Sequence, residues 1–281
     1  MGPDGPPESR GYMRRMRPLL GTFVEIGFRP APGDQAAVLA AFSAIEEVQR
    51  RLSFQDPDSE LSALNRSRGA FLRLSPLSIR VLRLARAMTL ASDGLFNCTL
   101  GGTLVRQGAL PDHDWGTMLD AGVAGDIEIR GPEVRLERPV RLTLDGIAKG
   151  YAVDLAIRAL RQHGVAAGWV NAGGDLRVFG PLTLPVHRRE ANGALCYLGG
   201  VRDAAIATSA ILARSEPRFP GRIVGPTGGS VTTGVWSVLA RYAWRADALT
   251  KVAALGAERA REGLLTRLGG KLVAPMTSAP T

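Results

Sequence analysis

Lysine is almost missing from this 281-residue chain: Lys149, Lys251 and Lys271 stand against 32 arginines. Arginine serves wherever a charge alone is needed, a bias that G/C-rich codons would produce. A lysine kept against it draws attention, because a compact ammonium and a planar guanidinium do not substitute for one another at a tight site. Cysteine is nearly absent too. Cys98 and Cys196 can pair only once and have neither disulfide-framework nor metal-cluster context, so they read as buried, unpaired thiols. The chain has no run of about 18 apolar residues, which excludes a membrane-spanning helix. The first ten residues, MGPDGPPESR, contain no apolar stretch of the kind an export signal needs, and the expected compartment is the cytoplasm. Aromatics make up only 6%, and there is no zinc spacing, RNA-binding aromatic signature or recognition helix. The formal net charge of +9 therefore points away from nucleic acid and towards an anionic ligand or partner.

What is present suits a soluble globular protein. Hydrophobic residues are 45% of the chain and charged residues 22%, enough apolar side chain for a substantial core in one large domain or two closely packed ones. TFVEIGF (22–28) alternates as a strand, and Asp34 opens a helix with Val38, Phe42, Ile45, Val48 and Leu52 on one face. Ser75 and Pro76 supply an N-cap and a first-turn proline for a second helix running towards Gly94. Short alternating runs from Ile127 to Leu144 predict successive antiparallel strands, and a helix follows from about Ile147 to Gly164. Strands are expected near 168–170, 176–179, 204–208 and 231–242, and helices over 246–255 and 258–268. Clustered rather than strictly alternating elements favour α+β over a doubly wound sheet.

Chemistry concentrates in three stretches. In LTLDGIAKGYAVD (142–154) a β-run meets a glycine turn and then a helix, which aims backbone N–H groups and Lys149 at whatever lies at the helix N-terminus. A phosphate suits that arrangement, and an ordinary strand-to-helix turn with a surface lysine is the plainer alternative. It is not a Walker A loop, since Tyr151 follows Gly150. NAGGDL (171–176) sets Gly173 and Gly174 between strands, where positive φ permits a close backbone approach by a ligand or simply a hairpin turn capped by Asp175. In ADALTK (246–251), Asp247 at a helix start either caps the helix or offers a carboxylate to Mg²⁺, with Thr250 nearby.

Taken in order, RPLLGTFVEI (17–26), SFQDPDSELSALN (53–65), DGLFNCTLGG (93–102), LDGIAKGYAVD (144–154), NAGGDL (171–176), IATSA (206–210) and ADALTK (246–251) make the chain resemble the ApbE family of FAD:protein FMN transferases along nearly its whole length. The resemblance implies an α+β fold of two related subdomains with mainly antiparallel sheets and a flavin cleft between them. It implies a disordered tail over 1–12, a single domain over 13–272 and a polar tail over 273–281. The implied reaction splits FAD, transfers FMN through its phosphate to a Thr or Ser of an acceptor protein within an Asp-x-x-Ser/Thr-Gly-Ala-Thr segment, and releases AMP, with Mg²⁺ at the pyrophosphate. Lys149 looks like the family lysine near FAD. Asp247, Thr250 and Gly146 look like the metal-site positions. Leu20 and Thr22 lie on the strand that touches the flavin, Phe54 stands where an aromatic contacts the ligand, and Asn97, Thr99, Thr143, Gly173, Gly174, Thr208 and Val224 complete the implied FAD contacts.

The departures are as specific as the matches. The family's His-Ile-x-Asp-Pro-x-Thr-Gly segment reads Arg222, Ile223, Val224, Gly225, Pro226, Thr227, Gly228 here, without the His or the Asp. His113, His163 and His187 fall in none of the seven segments, so proton removal from the acceptor hydroxyl would pass to another group, Asp247 or Asp175. Asn97 and Thr143 stand where relatives carry carboxylates. Lys251 stands four residues after Asp247, where relatives often place a metal-binding Thr. The expectation is that Lys251 partly replaces the cation and that Lys149, Lys251 and Asp247 carry the catalysis. An FAD-binding homologue without transferase activity and an FAD pyrophosphatase giving FMN and AMP are the alternatives.

Overall fold

The computed structural model describes residues 11–30, 32–211, 223–225 and 233–275. Residues 1–10 of the tail expected over 1–12, residues 276–281 of the tail expected over 273–281, Arg222, residues 226–228 and the start of the strand expected at 231 lie outside the described residues. The elements in order are β1 (Met13–Leu19), β2 (Thr22–Phe28), α1 (Asp34–Leu52), α2 (Glu60–Asn65), β3 (Leu72–Arg73), α3 (Pro76–Ala91), α4 (Gly101–Arg106), β4 (Ile127–Arg130), β5 (Glu133–Leu136) and α5 (Ala148–Gln162). There follow β6 (Gly168–Ala172), β7 (Asp175–Phe179), β8 (Thr183–Arg189), β9 (Leu195–Arg202), β10 (Ala205–Ile211), β11 (Gly234–Ala240), α6 (Ala243–Leu255), α7 (Glu258–Arg267) and β12 (Gly270–Val273).

Seven strands form one sheet in the order β1-β2-β6-β7-β10-β11-β12, every neighbouring pair antiparallel. Period-two alternation divides its side chains between two cores. On β6, Val170 joins the main core with α1, α5 and α6, while Trp169 faces a smaller core closed by the β8–β9 ribbon. The ribbon supplies Leu184, Leu198 and Val201 to that second core. A three-stranded sheet, β3-β5-β4, packs beside α3.

Most sequence expectations hold with small shifts: Ser75 caps α3 by accepting from Ser78 N, and Pro76 is its first residue. The expected strand at 141–144 is not one; Arg141 makes only an isolated parallel bridge to Leu100, because its guanidinium is turned inward to the carbonyls of Asn65 and Trp115. β12 occupies Gly270–Val273, where no strand is expected after the last helix, and its final residue falls within the tail expected from 273. Cys98 is buried and free, its thiol pushed up to about 11 by burial, and Cys196 is free and half-buried.

Helices α5 and α6 exchange capping groups, and this exchange positions the site. Gly150 lies where a Cβ would stand 2.3 Å from the Ala243 carbonyl oxygen, so only glycine lets the two backbones approach this closely. From α5, Asp154 accepts from the first N–H groups of α6, Ala243 at 3.1 Å and Trp244 at 3.0 Å, and pairs with Arg177. In return Asp247 of α6 accepts the Gly150 N–H of α5 at 3.2 Å. Asp154→Ala removes a helix cap and leaves the largely buried Arg177 without its carboxylate. It should lower unfolding stability by about 3–5 kcal/mol in urea titrations, and a loss under about 0.5 kcal/mol would contradict this packing.

Candidate active site

Beside the α5–α6 crossing a cavity of about 380 Å³ opens. Its polar wall comes from the turn into α5 (Thr143, Asp145, Gly146, Lys149), from β10 (Thr208, Ser209) and from Lys251 of α6. Leu95, Phe96, Leu100, Leu104 and Leu110 form the apolar side, with Ile223 and Val224 at the margin. The lining thus combines charged groups with a set of large apolar side chains, the mix expected of a small-molecule site.

Two ammonium groups stand in this lining. Lys149 Nζ lies 3.4 Å from Asp175 Oδ2, an ion pair without good hydrogen-bond geometry, since Oδ2 has no hydrogen-bond partner among the described residues. The Lys149 donors therefore remain available to a ligand. The Asp175 carboxylate beside it raises the Lys149 pKa, with Asp247 and Asp145 adding to the effect, so the lysine stays charged. Asp175 itself is buried, and its carboxyl is pushed up to about 6, first by desolvation and then by Asp247, against the pull of both lysines. Lys251 Nζ donates to Asp247 Oδ1 and, at 3.1 Å, to the Asp247 main-chain oxygen. An ammonium has three donors, which leaves Lys251 one for the cavity.

Asp145 carries no mark in the sequence beyond its place in the turn just before Gly146, and the structure makes it the exposed carboxylate of the cavity wall. Protein packed around it raises its pKa by desolvation, while Lys149 pulls the other way. Its recognisable signal is an acidic residue after an apolar run, just before a helix N-terminus that carries a lysine.

The other expected site residues do not all reach the cavity. Asn97, Thr143, Gly146, Lys149, Thr208, Val224 and Lys251 line the cavity together. Gly173, Gly174 and Thr22 buttress it: a Cβ on Gly173, whose φ is +61°, would meet Thr22 Oγ1 at 2.6 Å, and the Gly174 carbonyl accepts from Thr208 N at 3.2 Å. Leu20, Thr22 and Phe23 line a separate hollow along Pro18–Phe23, and Phe23 is 66% exposed there. Thr99 is buried and braces the loop by bonding Asn97 Oδ1 and Gly122 N. Phe54, 1% exposed, packs against His113 and Trp115 in the core and does not line the cavity.

The roles expected of Asp247 change. It sits inside α6, which starts at Ala243, and so does not cap its own helix. It is 1% exposed, with Oδ1 engaged by Lys251 and Oδ2 by Gly150 N, so both oxygens are turned to protein partners rather than to the cavity. Asp175 is buried as well. The metal set expected of Gly146, Asp247 and Thr250 does not fit Mg²⁺, a hard cation that takes near-octahedral oxygen ligands. The Asp247 main-chain oxygen accepts from Thr250 and Lys251, Thr250 Oγ1 lies 2.7 Å from Ser209 Oγ, and Gly146 could offer only its main-chain oxygen. Among the described residues no group of three or more His, Cys, Asp or Glu is arranged to hold a metal, and no helix is long and apolar enough to cross a membrane.

A second cavity, about 460 Å³, is walled by Arg68, Arg138 and Arg141. Arg138 is bound to Asp126 and Arg141 to main-chain carbonyls, so two of its three arginines already serve the fold. The lysine cleft differs in that its two cations are ammonium groups held on buried carboxylates beside the α5 N-terminus.

An α+β chain with a two-lysine anion cleft beside a helix N-terminus belongs to a limited class, and comparison with known proteins narrows it. The ApbE family profile matches residues 20–272, and the chain belongs to that family. It is 31% identical over 179 residues to an FAD:protein FMN transferase of Rhodobacter capsulatus, covering 58% of this chain and 34% of that protein. It is 29% identical over 207 residues to one of Treponema pallidum, covering 66% of this chain and 56% of that protein. The chain thus spans about a third to just over half the length of the curated relatives it matches. Among solved structures, the ApbE protein of Thermotoga maritima superposes with a TM-score of 0.80 at 21% identity, covering 93% of this chain and 94% of that one. The apo flavinyl transferase ApbE of Pseudomonas stutzeri gives 0.77 at 18% identity, covering 95% of each. These structures share the fold.

Because Asp175 holds its proton to about pH 6 when folded against a reference of 3.8, the folded state binds more protons than the unfolded one across that window. Its contribution to stability therefore falls as pH rises from about 4 to 6. Asp145 and Asp154, also raised, act with the same sign. Asp175→Asn should flatten the slope of melting temperature against pH in this window, and an unchanged slope would show that Asp175 ionises normally.

Proposed function

We propose that this chain is an FAD:protein FMN transferase: it binds FAD in the lysine cleft, transfers FMN to a Thr or Ser hydroxyl of an acceptor protein and releases AMP. The observation that carries this reading is the pair Lys149, in the first turn of α5, and Lys251, its stem against Gly146 just before that helix, both lining one cavity. A phosphoanhydride needs charge neutralisation and in-line positioning more than covalent help, and two ammonium groups beside a helix N-terminus supply both. The apolar wall of Phe96, Leu100 and Leu104 suits the flavin ring. Relatives named FAD:protein FMN transferase and the family match over 20–272 support the same reading.

In this reading the acceptor oxygen attacks the phosphorus of the FMN half, a new O–P bond forms, and the anhydride bond to the AMP phosphate breaks. Lys149 and Lys251 hold the charge that builds on the phosphoryl oxygens and on the departing AMP. Asp145 takes the hydroxyl proton. It lines the cavity with solvent access, whereas Asp247 is engaged at both oxygens and Asp175 is buried. A carboxyl above its usual value is also a better base. No step is assigned to Mg²⁺, because Lys251 occupies the carboxylate that would hold it.

The test is incubation with FAD and a peptide carrying the Asp-x-x-Ser/Thr-Gly-Ala-Thr segment, followed by peptide mass and AMP release. A mass gain of one FMN with matching AMP supports transfer. AMP without modified peptide means hydrolysis, and bound FAD that survives intact means a flavin binder. Asp145→Asn should cut transfer by about 10²–10⁴-fold with FAD affinity kept, and Lys149→Ala should weaken FAD binding itself.

A further inference from the structure

The cation question goes beyond that reading while resting on it. Lys251 reaches the cavity from inside α6, with its stem laid along the Gly146 turn: a Cβ on Gly146 would stand 3.3 Å from Lys251 Cε. Its ammonium sits on the buried Asp247 carboxylate and on the Asp247 carbonyl oxygen. Thr250, the neighbouring oxygen, is held by Ser209 and by the same carbonyl. The oxygens around Asp247 that a dication would collect are therefore already gathered around one ammonium, and a second cation placed there would be repelled by it.

We propose that the Lys251 ammonium is a built-in replacement for a divalent cation, so that this cleft holds the pyrophosphate of FAD without Mg²⁺. Four features support this. Asp247 is neutralised by direct contact and has no net attraction left for a metal. Lys251 keeps one donor for an anion, and its side chain remains partly open to the cavity. Lys149, paired through space with Asp175, stands on the same wall. Together the two lysines present two ammonium groups to the cavity, each held by a buried carboxylate, and neither can be removed by a chelator. The scarcity of lysine gives this weight: in a chain that writes arginine 32 times, a planar guanidinium is not used at either position. Asp145 is the cavity carboxylate outside these pairs, so a metal that enters despite Lys251 would have to bind there.

The experiment measures FAD affinity by flavin fluorescence, in EDTA and in millimolar Mg²⁺, and Mn²⁺ binding by electron paramagnetic resonance without FAD. Both use the full chain, its Lys251→Thr variant and its Asp145→Asn variant. The unsubstituted protein should bind FAD within about twofold in the two conditions and show no specific Mn²⁺ site. Lys251→Thr should lose on the order of tenfold in EDTA, recover with Mg²⁺ and gain a Mn²⁺ site. Unsubstituted protein that needs Mg²⁺ for FAD binding, or that binds one Mn²⁺ as tightly as Lys251→Thr, overturns the proposal, as does a Mn²⁺ site abolished by Asp145→Asn. The arms on unsubstituted protein do not depend on any variant folding. Absence of FAD binding in every condition refutes the transferase reading, and the Mn²⁺ arm still decides the cation question.

Discussion

The site depends on one close crossing, where α5 and α6 touch backbone to backbone at Gly150 and each helix supplies a carboxylate to the other's first turns. Asp154 ties the start of α6 to α5 and draws in Arg177 from β7, while Asp247 reaches back to the Gly150 N–H. The exchange satisfies N-terminal amides that would otherwise be buried without partners. It also fixes the separation of Lys149 on α5 from Lys251 on α6. The large sheet behind the two helices carries Asp175 and Thr208 on neighbouring strands, so the charged lining of the cleft is assembled from three elements held by one contact.

Charge in this lining is arranged in pairs. Lys149 faces Asp175 and Lys251 rests on Asp247, and each carboxylate lies deeper than its lysine. Buried carboxylates without partners would be costly; here they orient ammonium groups towards the cavity. Asp145, nearer to solvent, is the group to which the proposed reaction assigns the hydroxyl proton. The arginines play a different part, covering the surface and bracing the fold, as Arg138 does with Asp126 and Arg141 with the Asn65 and Trp115 carbonyls. Those arginines serve the fold, and in the proposed reading the ligand is met by Lys149 and Lys251.

Much of this was legible in the sequence because local signals and fold agreed. Ser75–Pro76 marked the start of α3, the alternation in TFVEIGF marked β2, and the glycine turn before Lys149 marked the N-terminus of α5. The β8–β9 ribbon and β12 were not, because the first mixes arginines and glycines into its strands and the second is only four residues long. Phe54 and Thr99 illustrate a different limit. Both lie in segments that resemble the family, but segment resemblance does not say which way a side chain points, and both turn into the core. Asp145 escaped for the converse reason: its importance comes from what the fold brings around it.

The most direct test of the central claim is a crystal structure of the FAD complex grown in EDTA. The account predicts pyrophosphate oxygens within ion-pair distance of both Lys149 Nζ and Lys251 Nζ, on the wall formed by Thr208 and the turn before α5. A pyrophosphate bound in the Arg68–Arg138–Arg141 cavity, or bound in the lysine cleft with the Lys251 ammonium turned away from it, would contradict that claim.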